Sequence, residues 1–342
     1  MPNKPTPYDG PNPRRISSKS DLDKALKQLL GGMTLCVADH YKTGLVLLQK
    51  LDEHLGPPPN RKSHVALRRF KNRKRKLASL LLVPIRNHRV GIQGVPQNGF
   101  YAMLYPELTF FMLPFVSIQE LHGAWKDFHQ GLHFNVLGHR IHPYYGTYCP
   151  TRTEHLELFA TWLSQYKGPK TTAIDVGTGT GILALLLQRA GFQNITASDH
   201  NPNAIESVTR EIERHSKPNN ITMVTQDLLG ETASQFELIV FNPPWMKGEA
   251  QSLIDQGMYY TGDLFERFFD QCERDLSPGG RIVLVYSNIQ SLVQPDIPHP
   301  IMAELDKGRF TLLQKMKRRL KPQKGHKRTK ERCEIWELTH TS

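Results

Sequence analysis

The sequence contains little cysteine and no long apolar run. Its four cysteines are widely separated along the chain: Cys36, Cys149, Cys272 and Cys333. This usage argues against a disulfide framework or a cysteine zinc site and fits a reducing cytosol. No uninterrupted apolar stretch reaches the roughly eighteen residues that a membrane span requires, and the N-terminus lacks a charged-then-apolar leader. We therefore expect a cytoplasmic protein without a secretory signal or membrane contact.

The sequence also lacks the residue spacing that is typical of a metal site, although it contains many histidines. Six of the fifteen histidines fall between His122 and His155, and His129 and His133 are four residues apart. A zinc site needs three or four convergent ligands, and these histidines follow no spacing typical of such a site. We expect surface or packing histidines and no metal.

Acidic residues are absent from one strongly basic run and nearly absent from another. The first run begins at Arg61 and ends at Lys76, with nine Lys or Arg and no acid. The second begins at Lys315 and ends at Arg332, with ten Lys or Arg and one acid. The net charge of +12 is thus concentrated in these two places. Such local basicity favours a polyanionic partner over a merely solvated surface.

The chain divides into three predicted regions. Residues 1–20 contain five prolines and predict a disordered tail. Residues 21–145 predict a mainly helical N-terminal domain that recognises substrate, with short strands and turns over residues 83–148. Residues 146–342 predict a second domain, in which strands and helices alternate as in a doubly wound, Rossmann-like α/β sheet. Its predicted parallel strands cover residues 172–176, 194–199, 221–225, 236–241 and 281–287.

The first chemical motif runs from Thr172 to Thr180 and reads Thr-Ala-Ile-Asp-Val-Gly-Thr-Gly-Thr. An apolar strand ends at Asp175 and Val176, and a glycine-rich turn leads into a helix. Glycine there permits positive φ and close approach of a ligand, while the first free amides of the helix point into the turn. The pattern predicts a strand–loop–helix nucleotide cradle.

The second motif follows a buried-type strand and reads Asn-Pro-Pro-Trp, from Asn242 to Trp245. Proline does not continue a strand interior, so the two prolines predict a rigid turn at the carboxyl end of the strand.

In this order and spacing, the two motifs resemble those of class I S-adenosylmethionine-dependent methyltransferases that act on planar nitrogen. That family carries Asp/Glu-x-Gly-x-Gly-x-Gly after its first strand and Asn/Asp-Pro-Pro-aromatic after its fourth. The resemblance extends from about Tyr148 to Thr339. It implies S-adenosyl-L-methionine as cofactor and a sheet whose last two strands form an antiparallel hairpin. It also implies that the loop of this hairpin, which contains the second basic run, lies near the active-site mouth.

The resemblance assigns cofactor contacts to residues at strand ends. It implies that Asp175 holds the methionine amino group, that Asp199 accepts hydrogen bonds from the ribose diol, and that Asp227 reads the adenine amino group. Each of the first two also has a simpler role as a turn cap. The remaining candidates are the cradle residues Gly177, Thr178, Gly179 and Gly181, and Pro150, Thr151 and Thr153 in a turn that alternatively starts a helix.

The resemblance makes Asn242, Pro243, Pro244 and Trp245 the catalytic box. An amide or exocyclic amine is a poor nucleophile because its lone pair is conjugated. The Asn242 side-chain oxygen and the Pro243 carbonyl would accept both N–H bonds and localise that lone pair, while the prolines limit reorganisation. Trp245 would offer a flat face to a planar substrate.

Two acceptors fit this box. Adenine amino-methyltransferases and HemK-like glutamine methyltransferases both carry it. The turn at Pro150–Glu154 departs from the usual Pro-Arg-Pro-x-Thr-Glu of the glutamine enzymes, and Trp245 replaces their usual tyrosine. The larger indole and the two basic runs favour nucleic acid, RNA over DNA. Methylation of glutamine in a translation protein is the alternative, and a nucleic-acid-binding module on an inactive fold is a third.

Overall fold

The computed structural model describes residues 3–59, 64–215, 220–231, 234–250, 254–321 and 330–341. These residues form two compact units. The smaller comprises residues 4–126, and the larger takes in Asn3 and the described residues from Asp127 onward. Within the described ranges, no helix is long and apolar enough to cross a membrane.

The smaller unit combines helices with a five-stranded sheet. In this sheet β1, β2 and β3 are parallel, and both β4 and β5 pair antiparallel with β3. Its elements in chain order are β1 (Arg14–Ile16), α1 (Leu22–Leu30), β2 (Leu35–Val37), α2 (Tyr41–Leu55), α3 (His64–Ala78), β3 (Leu81–Arg86), β4 (Arg89–Val90), α4 (Phe100–Leu104) and β5 (Phe110–Pro114), followed by α5 (Phe115–Gln130), which continues into the larger unit.

Three predictions for this part of the chain were wrong or incomplete. The unit contains more helix than strand, as predicted, but the sheet was missed because β1 and β2 have only three residues each. The prediction of disorder over residues 1–20 is wrong at β1, which pairs with β2. The 16-residue helix α5 lies in the segment predicted to form short strands and turns, although Ile118 and Leu121 are buried at helical spacing.

The larger unit is built on a seven-stranded sheet of order β10-β9-β8-β11-β14-β16-β15. The first five strands are parallel, and β16 and β15 form an antiparallel hairpin at one edge. This arrangement confirms the predicted doubly wound sheet with its C-terminal hairpin. The elements are β6 (Leu132–Phe134), β7 (His139–Ile141), α6 (Glu154–Gln165), β8 (Thr172–Val176), α7 (Ile182–Arg189), β9 (Asn194–Asp199), α8 (Pro202–His215), β10 (Ile221–Thr225), β11 (Phe236–Phe241), β12 (Met246–Lys247), β13 (Tyr259–Tyr260), α9 (Leu264–Asp275), β14 (Leu276–Ser287), α10 (Ile289–Val293), α11 (Pro300–Leu305), β15 (Phe310–Arg319) and β16 (Arg332–His340).

The larger unit begins earlier than the predicted boundary at residue 146. Phe134, Leu137 and Ile141, on and between β6 and β7, are buried in the same apolar cluster as α6 and α7. A second apolar cluster, centred on Phe268 and Phe269 of α9, covers the other face of the sheet. The segment that contains β6 and β7 is therefore part of the core of the larger unit.

Candidate active site

The turn after β8 forms the floor of a cleft at the carboxyl edge of the large sheet. Gly177, Gly179 and Gly181 have φ angles of 62°, 55° and 78°. Gly181 admits no side chain in this backbone, because a Cβ atom would lie 2.8 Å from Cγ2 of Val208. The N–H of Thr178 donates to the Ser198 carbonyl at 2.8 Å, which ties the turn to β9. The described backbone has the cradle shape that the glycine pattern predicts.

The structure brings most of the predicted site residues to this one cleft. It lies where β8 and β11 run side by side, with Val176 opposite Phe241, which is the switch point at which ligands bind in doubly wound sheets. The predicted residues that line it are Pro150, Asp175, Gly177, Thr178, Gly179, Asp199, Asp227, Asn242 and Pro244.

Asp175 is buried at the end of β8 and stabilises the turn. Its Oδ2 accepts hydrogen bonds from the Thr178 hydroxyl at 2.7 Å and from the Ala184 N–H at 3.0 Å. Burial nevertheless raises the pKa of this carboxyl to about 7, against the opposing effect of these two donors. Asp175 therefore caps the turn and also faces the cleft, so the two roles considered for it are compatible.

Asp199 sits at the end of β9 and is held by two backbone amides. Its Oδ2 accepts from the Gly179 N–H at 3.0 Å and its Oδ1 from the Asn201 N–H at 2.8 Å. Burial raises its pKa even though both amides favour the charged form. Each carboxylate oxygen has a second acceptor site, so these bonds leave Asp199 able to receive a diol from the cleft.

Asp227 lies on the rim of the cleft and is exposed. It forms an ion pair with Arg267 of α9, a partner that the sequence pattern did not indicate. The next residue, Leu228, has a positive φ of 52° and lines the same cleft. A left-handed leucine is strained, and such strain persists where the surroundings impose it. The Asp227–Leu228 turn is thus shaped as one edge of the cleft.

The turn before α6 contributes only some of its predicted site residues to the cleft. Pro150 lines the cleft, but Thr151 and Thr153 are not among its described lining residues. Thr153 is the N-cap of α6 and its hydroxyl donates to Glu157 at 3.2 Å. The helix-start interpretation accounts for Thr153, and a cofactor contact by either threonine remains only a prediction.

The Asn242–Trp245 turn extends from β11 into the cleft. The Asn242 Oδ1 atom is buried, and within the described part of the chain it has no hydrogen-bond partner. A buried acceptor without a donor costs about 1 to 3 kcal/mol. A ligand N–H that donates to Asn242 Oδ1 would offset this cost, so the unpartnered oxygen marks a position for a hydrogen-bond donor of a ligand.

Trp245 is fixed at the same turn although it does not line the cleft itself. Its indole N–H donates to the Val285 carbonyl at 3.3 Å. The ring of His155 meets it edge-on, with centroids 5.3 Å apart. His155 is buried, its Nε2 has no partner among the described residues, and burial lowers its pKa to about 4, so it is neutral near pH 7. No sequence motif identified His155, because it contacts Trp245 across a long separation in the chain.

Other cleft residues were also missed by the sequence patterns. Tyr148, His200, Gln256 and Gly257 line it, and His200 and Gln256 approach to 3.4 Å across the opening. Gln256 lies between β12 and β13, which are two residues long and give no strand signal. The parallel pairing of these short strands places the segment beside the cleft.

A basic groove lies near the Asn242–Trp245 turn. It is lined by Lys315, Lys317, Arg319, Lys330, Arg332 and Glu334 of the hairpin, together with Asn288 and Ser291 from the end of β14 and α10. The Glu334 carboxylate forms ion pairs with Lys315 at 2.9 Å and with Arg332 at 2.8 Å and partly neutralises these two cations. Gln294, just after α10, exchanges two hydrogen bonds with the backbone of Lys247, at 3.2 and 2.8 Å. Ser287, the last residue of β14, pairs with Cys333 of β16, so the described ends of the hairpin lie at the carboxyl edge of the sheet. Lys324, Lys327 and Arg328 of the same run, and Arg61 and Lys62 of the first, fall outside the described residues.

Comparison with known proteins supports a methyltransferase-type segment in this region. Residues 154–295 match the family model described as methyltransferase small domain. A protein of Methanocaldococcus jannaschii, provisionally named a protein N5-glutamine methyltransferase, is 24% identical over 123 residues, which cover 34% of this chain and 61% of that protein. The tRNA1(Val) (adenine(37)-N6)-methyltransferase of Glaesserella parasuis is 30% identical over 116 residues, which cover 33% of this chain and 49% of that enzyme.

These matches have a limited extent. The chain spans less than two thirds of the length of either relative. Among solved structures, the ribosomal protein L11 methylase of Lactobacillus delbrueckii subsp. bulgaricus is 19% identical and aligns with a TM-score of 0.39, over 57% of this chain and 82% of that one.

Proposed function

We propose that the protein is an S-adenosylmethionine-dependent N-methyltransferase whose acceptor is the exocyclic amino group of adenine in RNA or DNA. The observation that carries the proposal is the buried, unpartnered Oδ1 of Asn242, in the same cleft as the glycine cradle, Asp175 and Asp199. When bound, S-adenosyl-L-methionine supplies an electrophilic methyl group on sulfur. The match to the methyltransferase small domain supports the same reaction type.

The residues of the cleft fit the cofactor. Gly177 and Gly179 of the cradle line the cleft, and Asp199 retains acceptor sites for a diol. Asp175 provides a buried carboxyl for an ammonium group. Asn242 Oδ1 and the Pro243 carbonyl would accept the two N–H bonds of the acceptor amine. They would hold its lone pair out of conjugation and directed toward the methyl group.

The basic groove is the observation that favours a nucleic acid. Its lysines and arginines lie beside the catalytic turn, where a phosphate backbone would run while a base entered the cleft. Glutamine in a protein remains the second candidate, since one relative is named for that activity.

Incubation with methyl-labelled cofactor and a cell extract, followed by nuclease or protease, tests the acceptor class. We expect RNase to release the label, with DNase as the less favoured outcome. Release only by protease would replace the nucleic-acid acceptor with glutamine. No transfer to any fraction would contradict the proposed enzyme.

Replacing Asp199 by alanine is expected to raise the Kd of S-adenosylmethionine at least about tenfold. A lost pair of charge-assisted hydrogen bonds exceeds the roughly 1.4 kcal/mol that a tenfold change requires. Calorimetric titration measures the effect. Asp270→Ala, on the exposed face of α9, is the matched control, and an unchanged Kd for Asp199→Ala would remove this residue from the cofactor site.

Cofactor binding is expected to release a proton below about pH 7. Burial raises the pKa of Asp175 to about 7, so below this pH the free protein retains a proton that a bound ammonium would displace. Between about pH 4 and 7 the native state keeps this proton, whereas the unfolded chain loses it. The free energy of unfolding of the free protein therefore falls as pH rises through that window. Calorimetry in buffers of different ionisation enthalpy measures the release, which should vanish in Asp175→Asn and above about pH 8. Equal release by Asp175→Asn would assign the proton to another group.

A further inference from the structure

A cluster of potential metal ligands lies on the larger unit, away from the cleft. One ring nitrogen of His139, one of His215 and a carboxylate oxygen of Glu211 lie within 4.8 Å of one another. Glu211 and His215 are four residues apart on α8 and therefore share one face of that helix. His139 begins β7, so the cluster exists only because the fold brings this strand to the end of α8.

Two of the three side chains are already oriented as metal ligands are. The Nδ1 atom of His139 bonds to the Arg140 carbonyl at 3.0 Å, an arrangement that leaves Nε2 as the free lone pair. The Oε2 atom of Glu211 accepts the backbone N–H of His142 at 3.0 Å. Partners of this kind fix the tautomer of a ligating histidine and the direction of a ligating carboxylate.

The remaining contacts bring the potential metal-ligand atoms close together. Glu211 is 1% exposed, and its Oε1 meets Nε2 of His215 at 2.9 Å. The two histidine rings have centroids 4.4 Å apart. Without an ion, a proton lies between Nε2 of His215 and the carboxylate. An ion would replace that proton and be bound by lone pairs of both imidazoles and of the carboxylate.

We propose that His139, Glu211 and His215 bind a divalent transition-metal ion of the zinc class. Two imidazole nitrogens and one carboxylate oxygen form a donor set that zinc uses, and closure to bond lengths of about 2.0 to 2.2 Å needs small side-chain movements. A hollow lined by His139, His215 and Asn220 adjoins the cluster and leaves space for a fourth ligand from solvent. Glu211 and His215 lie in the last turns of α8, whereas the first turn of this helix adjoins the cleft. The ion would therefore stabilise the packing of α8 against β7 and take no part in methyl transfer.

Titration of the chelator-treated full-length protein with Zn²⁺ tests this site. We expect saturable binding of one equivalent and a rise in Tm. Binding should weaken at least about tenfold in His139→Ala and in His215→Ala, whereas His54→Ala, at an exposed position on α2, should bind as the wild type does. His215 is exposed, so its replacement should leave the fold intact, as circular dichroism would verify. Absence of saturable binding by the wild type, or equal binding by all four proteins, would overturn the proposal.

Discussion

Replacing Asn242 by alanine is expected to lower kcat by about 10²-fold or more while leaving the Kd of S-adenosylmethionine nearly unchanged. The loss corresponds to removal of one preorganised transition-state partner. Asn242 Oδ1 has no partner in the described structure, so the change removes an acceptor that no other protein group uses. Single-turnover methyl transfer and cofactor calorimetry measure the two quantities separately.

Asn242→Asp is the matched variant for this prediction. It keeps an acceptor oxygen at the same distance along the side chain, and we expect it to retain more activity than Asn242→Ala. Near-full turnover by the alanine variant would show that this turn is not the catalytic box. Loss of cofactor binding by Asn242→Ala would instead assign the residue to the cradle.

Neutralising the basic groove is expected to weaken nucleic-acid binding by about 10²-fold near 0.1 M salt. Lys317, Arg319 and Lys330 line the groove and are exposed. Each phosphate contact contributes roughly 0.7 to 0.9 to the slope of log K against log salt, so the triple glutamine variant should lose about 2 units of slope. Cofactor affinity should not change, because none of these side chains lines the cleft.

The control for this experiment carries the same change in net charge. Lys19, Lys24 and Lys167 are exposed lysines outside the groove, and their replacement by glutamine should leave the slope close to that of the wild type. A shallow wild-type slope that neither triple variant alters would favour a glutamine acceptor. Equal losses in both triple variants would indicate attraction by overall charge and remove the groove from substrate binding.

The α/β half of the fold could be predicted because its signals are local. Strands such as β8 and β11 are short apolar runs that are followed by a glycine or proline turn. The helices α8 and α9 are strongly amphipathic. The small sheet of the N-terminal unit gave no such signal. Its strands β1 and β2 have three residues each, and their parallel partners are separated by entire helices, so neither alternation nor a hairpin turn marks them.

The candidate site shows the same division between local and long-range information. Asp175, Asp199 and Asn242 were predictable because the ends of parallel strands meet at one edge of a sheet. The Arg267 partner of Asp227 and the contact of His155 with Trp245 depend on how α9 and α6 pack, which no spacing in the sequence specifies. Thr151 and Thr153 show the converse, since their motif position predicts a cofactor contact but neither is among the described residues that line the cleft.

Nucleoside analysis of the methylated product tests whether the protein methylates the amino group of adenine. RNA and DNA from a reaction with labelled S-adenosylmethionine are digested to nucleosides and separated by chromatography with mass detection. We expect the wild type to form N6-methyladenosine, or its deoxy counterpart if the acceptor is DNA, and Asn242→Ala to form at least about 10²-fold less at equal cofactor saturation. Label that is absent from the amino group of adenine in both nucleic acids, or that persists unchanged in Asn242→Ala, would contradict the proposed function.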